Sequence, residues 1–461
     1  MSFLSFLKPK DTTIRLAFGN GQLSPKALSL ANDEANIRRA DFGFPDKAAF
    51  NPNFFSKHLT ESGALEAKTL EKANERVMKH QFDAERKEAI IAAAETFYKK
   101  GHRLLFSRTD DWDIGLGLTE SAPVRGRTVA ELAESIERQF KKQLCSEFDP
   151  NVIAFRERKG TPDHRMGALL MPFYGERTKM SKDGPEHTTT VFSINYFGKN
   201  PEGKALISVG GGLGGANHKY AEHYIGKEIS HESLSEAMCK QMHWPDCSGG
   251  AGNYNLGVPS DLYASLLLRL NAIRRDIDSK INSLIGLTGQ RYLEIVSNGA
   301  DDFNWMVVQS APIEIVNAEK PDYEKKSILM STEHVIGTNI VKADKIRFKK
   351  QGFHPSNEDW EYNKYNRNYL LVVEIPTAGG FRNEWQLQHI SNAAAILLVV
   401  GGVRQTFFSH LGGYYRELGI PVLAGNIAFN QFRKLAGDNG EHKFVVHVDE
   451  FAPEGFVAVE N

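Results

Sequence analysis

The sequence predicts a mixed α/β (α+β) protein built from two units. Segments with helical periodicity alternate with strand-like runs set between glycines, a charged stretch, NAEKPDYEKKS, interrupts the pattern near residue 320, and the residues beyond it again have the composition of a compact α/β unit. The chain's 461 residues are enough for two or three domains, and 41% hydrophobic residues suffice for their cores. The expected division is 1–320 and 321–461.

Taken in order, residues 60–100 are charged and helical in period, as in ANERVMKHQFDAERKEAIIAAAETFYKK. A second amphipathic helix, TVAELAESIERQFKKQL, is introduced by Thr128 and followed by the acidic, proline-containing SEFDP. Strand-like runs then dominate: GALLMPFYG, TTTVFSINYFG and KALISVGGG cluster β-branched and aromatic residues between glycines. A long helix is expected over PSDLYASLLLRLNAIRRDIDSKINSLIG, and after it two strands, RYLEIVS and FNWMVVQSAPIEIV, joined by the turn-rich NGADD. Near the end, FFSHLGGYYRELGIPVLAG reads as a short helix capped by Ser409, stopped at Gly419 and closed by Pro421 before a strand.

Composition excludes several functions. Lys+Arg 56 against Asp+Glu 57 leaves a net charge of −1, so no basic field points to nucleic acid. The apolar run in MSFLSFLKPK is too short for a membrane span and has no charged region before it, so a cytoplasmic protein is expected. Cys145, Cys239 and Cys247 suit reduced thiols, and the CKQMHWPDC cluster matches no standard zinc spacing.

Three local features carry chemistry, each beside a plain structural alternative. The loop SVGGGLGGANHK places Gly210, Gly211, Gly212, Gly214 and Gly215 after a strand, where backbone N–H groups can approach a phosphate. It lacks the Gly-Lys-Ser/Thr of a Walker loop, and an ordinary strand-to-loop connection is the alternative. Glu294 and Gln309 lie on adjacent strands, so a hairpin brings a carboxylate and an amide oxygen to one end of a sheet, as Mg2+ requires; the alternative is an ordinary surface glutamate. His410 stands at a helix start, where free N–H groups favour an anion such as phosphate, or is a structural cap histidine.

In sequence order, GALLMPFYGE, ISVGGGLGGA, YLEIVS with WMVVQSAPIE, and AAAILLVVGG with SHLGGYYRELGIPVLAG resemble landmarks of the phosphoenolpyruvate synthase and pyruvate phosphate dikinase family. The resemblance is strongest over 380–461 and moderate over 165–315. It implies an ATP-grasp-like nucleotide-binding domain followed by a swivelling β/β/α phosphohistidine domain. It further implies ATP and Mg2+ as cofactors, with His410 as the phosphoryl carrier flanked by Ser409 and Arg416, and with the β-phosphate retained on the histidine. On the nucleotide side it implies roles for Lys26, Gly212, Gly214, Glu294 and Gln309, the last two as metal ligands, and for the strand around Leu170, Met171, Pro172 and Phe173 beside adenine.

Two family arginines are replaced, one by Phe106 in LFSRTD and one by Ala311 in Gln309-Ser310-Ala311-Pro312. Arg108, Lys26, Arg125 and Arg127 are the cations available to compensate. No pyruvate-binding barrel and no middle acceptor-binding domain is expected, so the phosphoryl acceptor is expected to be an unidentified small molecule or protein. The alternatives are a two-domain scaffold that has lost catalysis and a ligase that never uses His410. On this reading Glu294→Ala abolishes stabilisation by Mg-ATP and leaves the ligand-free fold intact.

Overall fold

The computed structural model describes residues 13–18, 23–111, 121–149, 152–153, 156, 166–173, 176–181, 184–188, 192–199, 205–211, 222–226, 277, 279–297, 305–313, 328–332, 335–349, 368–375, 393–400, 419–425, 427–437, 442–451 and 454–460. The described residues have a mixed α/β architecture with several separate sheets.

The first sheet comprises β1 (Ile14–Leu16), β2 (Lys47–Phe50), β3 (Leu104–Asp111), β4 (Ala122–Arg125) and β5 (Met166–Pro172), in the order β1-β2-β5-β3-β4. Only β1 and β2 pair in parallel. Helices α1 (Pro25–Arg39), α2 (Pro52–Glu61), α3 (Leu70–Lys79), α4 (Ala84–Lys99) and α5 (Val129–Ser146) punctuate these strands.

Their starts are written locally. Pro25 and Pro52 open α1 and α2, and the Thr128 side chain accepts from Glu131 N at 3.2 Å. Thr128→Ala is expected to cost about 1 kcal/mol, read as a shift of the urea midpoint at unchanged slope.

One expectation needs refining. The helical period over 60–100 is not one helix, because His80 leaves the helical region and Asp83 caps a new start by accepting from Arg86 N at 3.0 Å. Phe82, buried at the break, anchors the kink against the His58 ring at 4.4 Å.

A two-stranded ribbon, β6 (Glu176–Ser181) with β7 (Gly184–Thr188), precedes the second sheet of β8 (Phe192–Lys199), β9 (Ala205–Gly211), β10 (Glu222–Gly226), β11 (Arg291–Ser297) and β12 (Trp305–Pro312). Its order is β10-β9-β8-β11-β12, all antiparallel. Of the expected long helix, residues 279–288 are described as helical.

The first sheet lies between two apolar layers. Leu105, Leu170 and Phe50 pack with Phe54, Phe97 and Phe140 of the helices, the Phe50 and Phe140 rings 4.7 Å apart. Alternate residues Ala49 and Leu169 pack on the opposite side with α1 and with Leu293, Ile295, Trp305 and Val307 of the second sheet. Gly43 joins the two: its N–H donates to Trp305 O at 2.8 Å, and its carbonyl accepts from Val307 N at 3.0 Å. An added Cβ there would stand 2.0 Å from Met306 Sδ, so any other residue at 43 requires the flexible Met306 side chain to move.

The remaining strands are β13 (Ile328–Thr332), β14 (Val335–Ile336), β15 (Thr338–Ala343), β16 (Lys345–Lys349), β17 (Tyr369–Ile375), β18 (Ala395–Val400), β19 (Val422–Gly425), β20 (Lys443–Asp449) and β21 (Glu454–Glu460), with α6 (Phe429–Ala436). They form an antiparallel sheet β13-β21-β20-β15 and a sheet β14-β19-β18-β17-β16 in which β16 to β19 run parallel. The continuous apolar run AILLVV is what a parallel strand covered on both faces needs. Val372, Leu397, Leu423, Phe432 and Val446 share one core, drawn among the described residues from Met330 to Val457.

Candidate functional site

The second sheet's two faces differ sharply. Leu293, Ile295, Trp305 and Val307 point into the layer shared with α1, and Ser310 on the same side donates to Asp33 of α1 at 2.7 Å. Arg291 reaches the same carboxylate at 3.0 and 3.3 Å, so one helix residue clamps the β11–β12 hairpin. Val296, Met306 and Val308 belong to a smaller apolar group with Met171 and Phe106 of the first sheet.

Glu294 faces this second side, and a bulge brings Gln309 to it. Ile295 pairs with Val307 but Glu294 pairs with Gln309, leaving Val308 as the extra residue. Under strict alternation Gln309 would share the face of Trp305 and Val307. The inserted residue turns it to lie opposite Glu294, the kind of re-aiming for which bulges recur beside functional sites.

Arg108 of β3 bridges to this pair from the first sheet. Its Nη1 lies 2.5 Å from Glu294 Oε2 and its Nη2 lies 2.9 Å from Oε1, a two-pronged ion pair, while Nη2 also donates to Gln309 Oε1. Tyr292, two residues before Glu294 and hence on the same face, donates its hydroxyl to Oε1 at 2.9 Å. Glu294 is 3% exposed, so the surface-glutamate alternative does not hold. Burial alone would push its carboxyl up. The adjacent Arg108 guanidinium and its hydrogen bonds, with Lys26 and the Tyr292 hydroxyl, outweigh burial and hold the pKa at about 2.

Lys26, in the first turn of α1, is buried and contributes to that field. Lys47 on β2 is 1% exposed, its Nζ 3.7 Å from the Phe44 ring centroid and 3.2 Å from Pro45 O. Burial holds its pKa well below the ordinary lysine value, against the pull of the Glu34 carboxylate. Lys26 and Arg108 thus act on Glu294, and Arg108 is also felt by Lys47.

Sequence reasoning named Lys26, Arg108, Glu294 and Gln309, which the structure brings together. It missed Tyr292 and Lys47, although the two-residue step in RYLEIVS and the lone lysine in FPDKAAF were available signals. Met171 pairs with Phe106 across β5 and β3, and the Phe173 ring lies 6.2 Å from that of Phe106. Arg125 is not in the cluster. It is exposed and pairs with Leu104, four residues from Arg108 along β3, a separation of about 13 Å. Arg127 is likewise exposed beyond the end of that edge strand.

Ser409, His410, Arg416, Gly212 and Gly214 lie outside the described residues. At the margin of the histidine segment, Gly419 adopts the positive φ of 63°, and Pro421 leads into β19.

The oxygens proposed for Mg2+ are already engaged. Both Glu294 oxygens and Gln309 Oε1 receive Arg108, so in this arrangement the pair does not fit a resident divalent ion. Among the described residues no group of three or more His, Cys, Asp or Glu side chains is placed to hold a metal, and no helix is long and apolar enough to cross a membrane. Gln309 Nε2 is buried and makes no hydrogen bond, because the amide is turned to offer its oxygen to the guanidinium. What assembles is a buried, charge-paired junction between two sheets, with Lys26 and Arg108 beside the Glu294 carboxylate and one amide donor of Gln309 unfilled. No protein-family model matches the chain, and no curated protein matches it.

Proposed function

We propose that the chain is an ATP-dependent phosphotransferase of the dikinase type, related to the phosphoenolpyruvate synthase and pyruvate phosphate dikinase family. The observation that carries this reading is the convergence of Lys26 and Arg108 on Glu294 between the first two sheets, beside the unfilled donor of Gln309. Converging cations and an unused N–H in buried surroundings suit a polyphosphate. The ATP-grasp-like domain is then residues 1–320 and the phosphohistidine domain residues 321–461.

A nitrogen of His410 attacks the β-phosphorus, a P–N bond forms, and AMP leaves with the electrons of the broken P–O bond. Hydrolysis then releases the γ-phosphate as inorganic phosphate, and the remaining phosphoryl group passes to a small-molecule or protein acceptor. Neutral imidazole suits the attack, since its ordinary pKa of about 6.5 leaves it unprotonated near neutral pH. Lys26 offsets phosphate charge in place of the arginines replaced by Phe106 and Ala311, since Arg108 is neutralised by Glu294.

A second reading has one specific observation in its favour. Arg108 is tied to Glu294 and Gln309 as an inter-sheet staple, which suits a binding scaffold that no longer transfers phosphate. ATP labelled separately at the β and γ positions separates the two. The phosphotransferase reading expects β-label on the protein that survives alkali and is lost in acid. It expects the label to be absent from His410→Asn, a substitution that removes the nucleophile from a polar position. Equal labelling of the parent and the asparagine variant, or no labelling of either, overturns it in favour of the scaffold.

A further inference from the structure

A carboxylate and an amide oxygen, buried and held opposite each other by a bulge, form a set that a hard cation would take. In this protein a guanidinium takes it. Arg108 spans both Glu294 oxygens and also reaches Gln309 Oε1, and the Tyr292 hydroxyl closes the Oε1 side. The arginine comes from the other sheet, 186 residues earlier in the chain, and its side chain is 13% exposed. Two positive ions cannot share these three oxygens, because a divalent ion at them would face the guanidinium charge within van der Waals distance in a site largely closed to water.

We propose that Arg108 is the resident cation of the Glu294–Gln309 oxygen set, so that the natural chain holds no divalent ion there and loss of the guanidinium creates a divalent-cation site. Arg108 then has two roles in one position: it neutralises Glu294 and joins the two sheets through it. Any divalent ion that accompanies a nucleotide to this protein is carried by the nucleotide's phosphates and not by Glu294. The inference does not rest on His410 carrying phosphate and holds equally for a scaffold, because it concerns only which cation the oxygens hold.

Mn2+ alone is the probe, with free ion counted by its electron paramagnetic resonance signal in titrations of the full chain. The parent is expected to give the same isotherm as Glu294→Gln. Arg108→Ala is expected to gain a site about tenfold or more tighter than any in the parent, and Arg108→Ala combined with Glu294→Gln to lose it. A melting temperature raised by Mn2+ in Arg108→Ala but not in the parent provides a second readout. Should Arg108→Ala fold poorly, Arg108→Gln removes the charge while keeping a long polar side chain, and the same gain is expected. Parent binding that Glu294→Gln abolishes overturns the proposal, since the oxygens would then hold a metal with Arg108 in place. A folded Arg108 variant that gains no site overturns it as well. None of these outcomes bears on the labelling of His410.

Discussion

Glu294→Ala is expected to lose about 3–5 kcal/mol of unfolding free energy, measured by urea denaturation without any ligand. The carboxylate is buried, and it balances a guanidinium whose side chain is only 13% exposed. Removing it takes away the anion that balances that cation and the acceptor of the Tyr292 hydroxyl at 2.9 Å. The burial of Glu294 replaces the sequence-based expectation that Glu294→Ala leaves the ligand-free fold intact with an expected loss. The loss belongs to the unpaired charge more than to the pair, so replacing both partners with apolar residues, Arg108→Met with Glu294→Leu, is expected to recover most of it. A double variant as unstable as the single one would show that the pair stabilises the sheet junction by more than mutual neutralisation. A thermal shift with Mg-ATP therefore has to be compared at matched starting stability before Glu294 is assigned to nucleotide binding.

Acid is expected to weaken the fold between pH 6.5 and about 4 through His58 on α2. This histidine is fully buried, its Nε2–H donates to Val77 O at 3.1 Å, and its Nδ1 has no partner. Burial lowers its pKa to about 4, opposed by the Val77 hydrogen bond and assisted by the nearby positive groups His80, Lys141 and Arg86. The sign follows from proton counting. The unfolded chain binds a proton near pH 6.5 and the folded one resists it until about 4, so the contribution is complete above pH 6.5 and disappears on acidification to 4. A separation of that size is worth about 3 kcal/mol at most.

His58→Leu, which keeps an apolar contact with Phe82, is expected to flatten stability against pH in this window. Asp83 and Glu75, whose pKa values are lowered by hydrogen bonds from Lys57 and Lys79 respectively, lose their contributions only at lower pH. An unchanged slope between pH 6.5 and 4 in His58→Leu would assign the acid sensitivity to other groups.

Much of the secondary structure could be read in sequence because its causes are local. Thr128 caps the helix that follows it, the apolar run AILLVV marks a buried strand, and RYLEIVS with WMVVQSAP pairs as a hairpin. That Glu294 and Gln309 lie on neighbouring strands at one end of a sheet was likewise legible, because strand runs consecutive in sequence tend to pair.

Three decisions were tertiary. The bulge at Val308 was hidden because Val307 and Val308 are both apolar, so alternation cannot tell which of them faces the core. The break between α3 and α4 at His80–Asp83 was masked by a charged sequence whose helical period runs through it, and the buried Phe82 marks where it falls. The partnership of Arg108 with Glu294 joins residues 186 apart on different sheets. No periodicity in the chain encodes that distance; it exists only once two apolar layers have packed the first sheet against the second, and it is the packing that turns a free cation and an open oxygen pair into one neutral, buried unit.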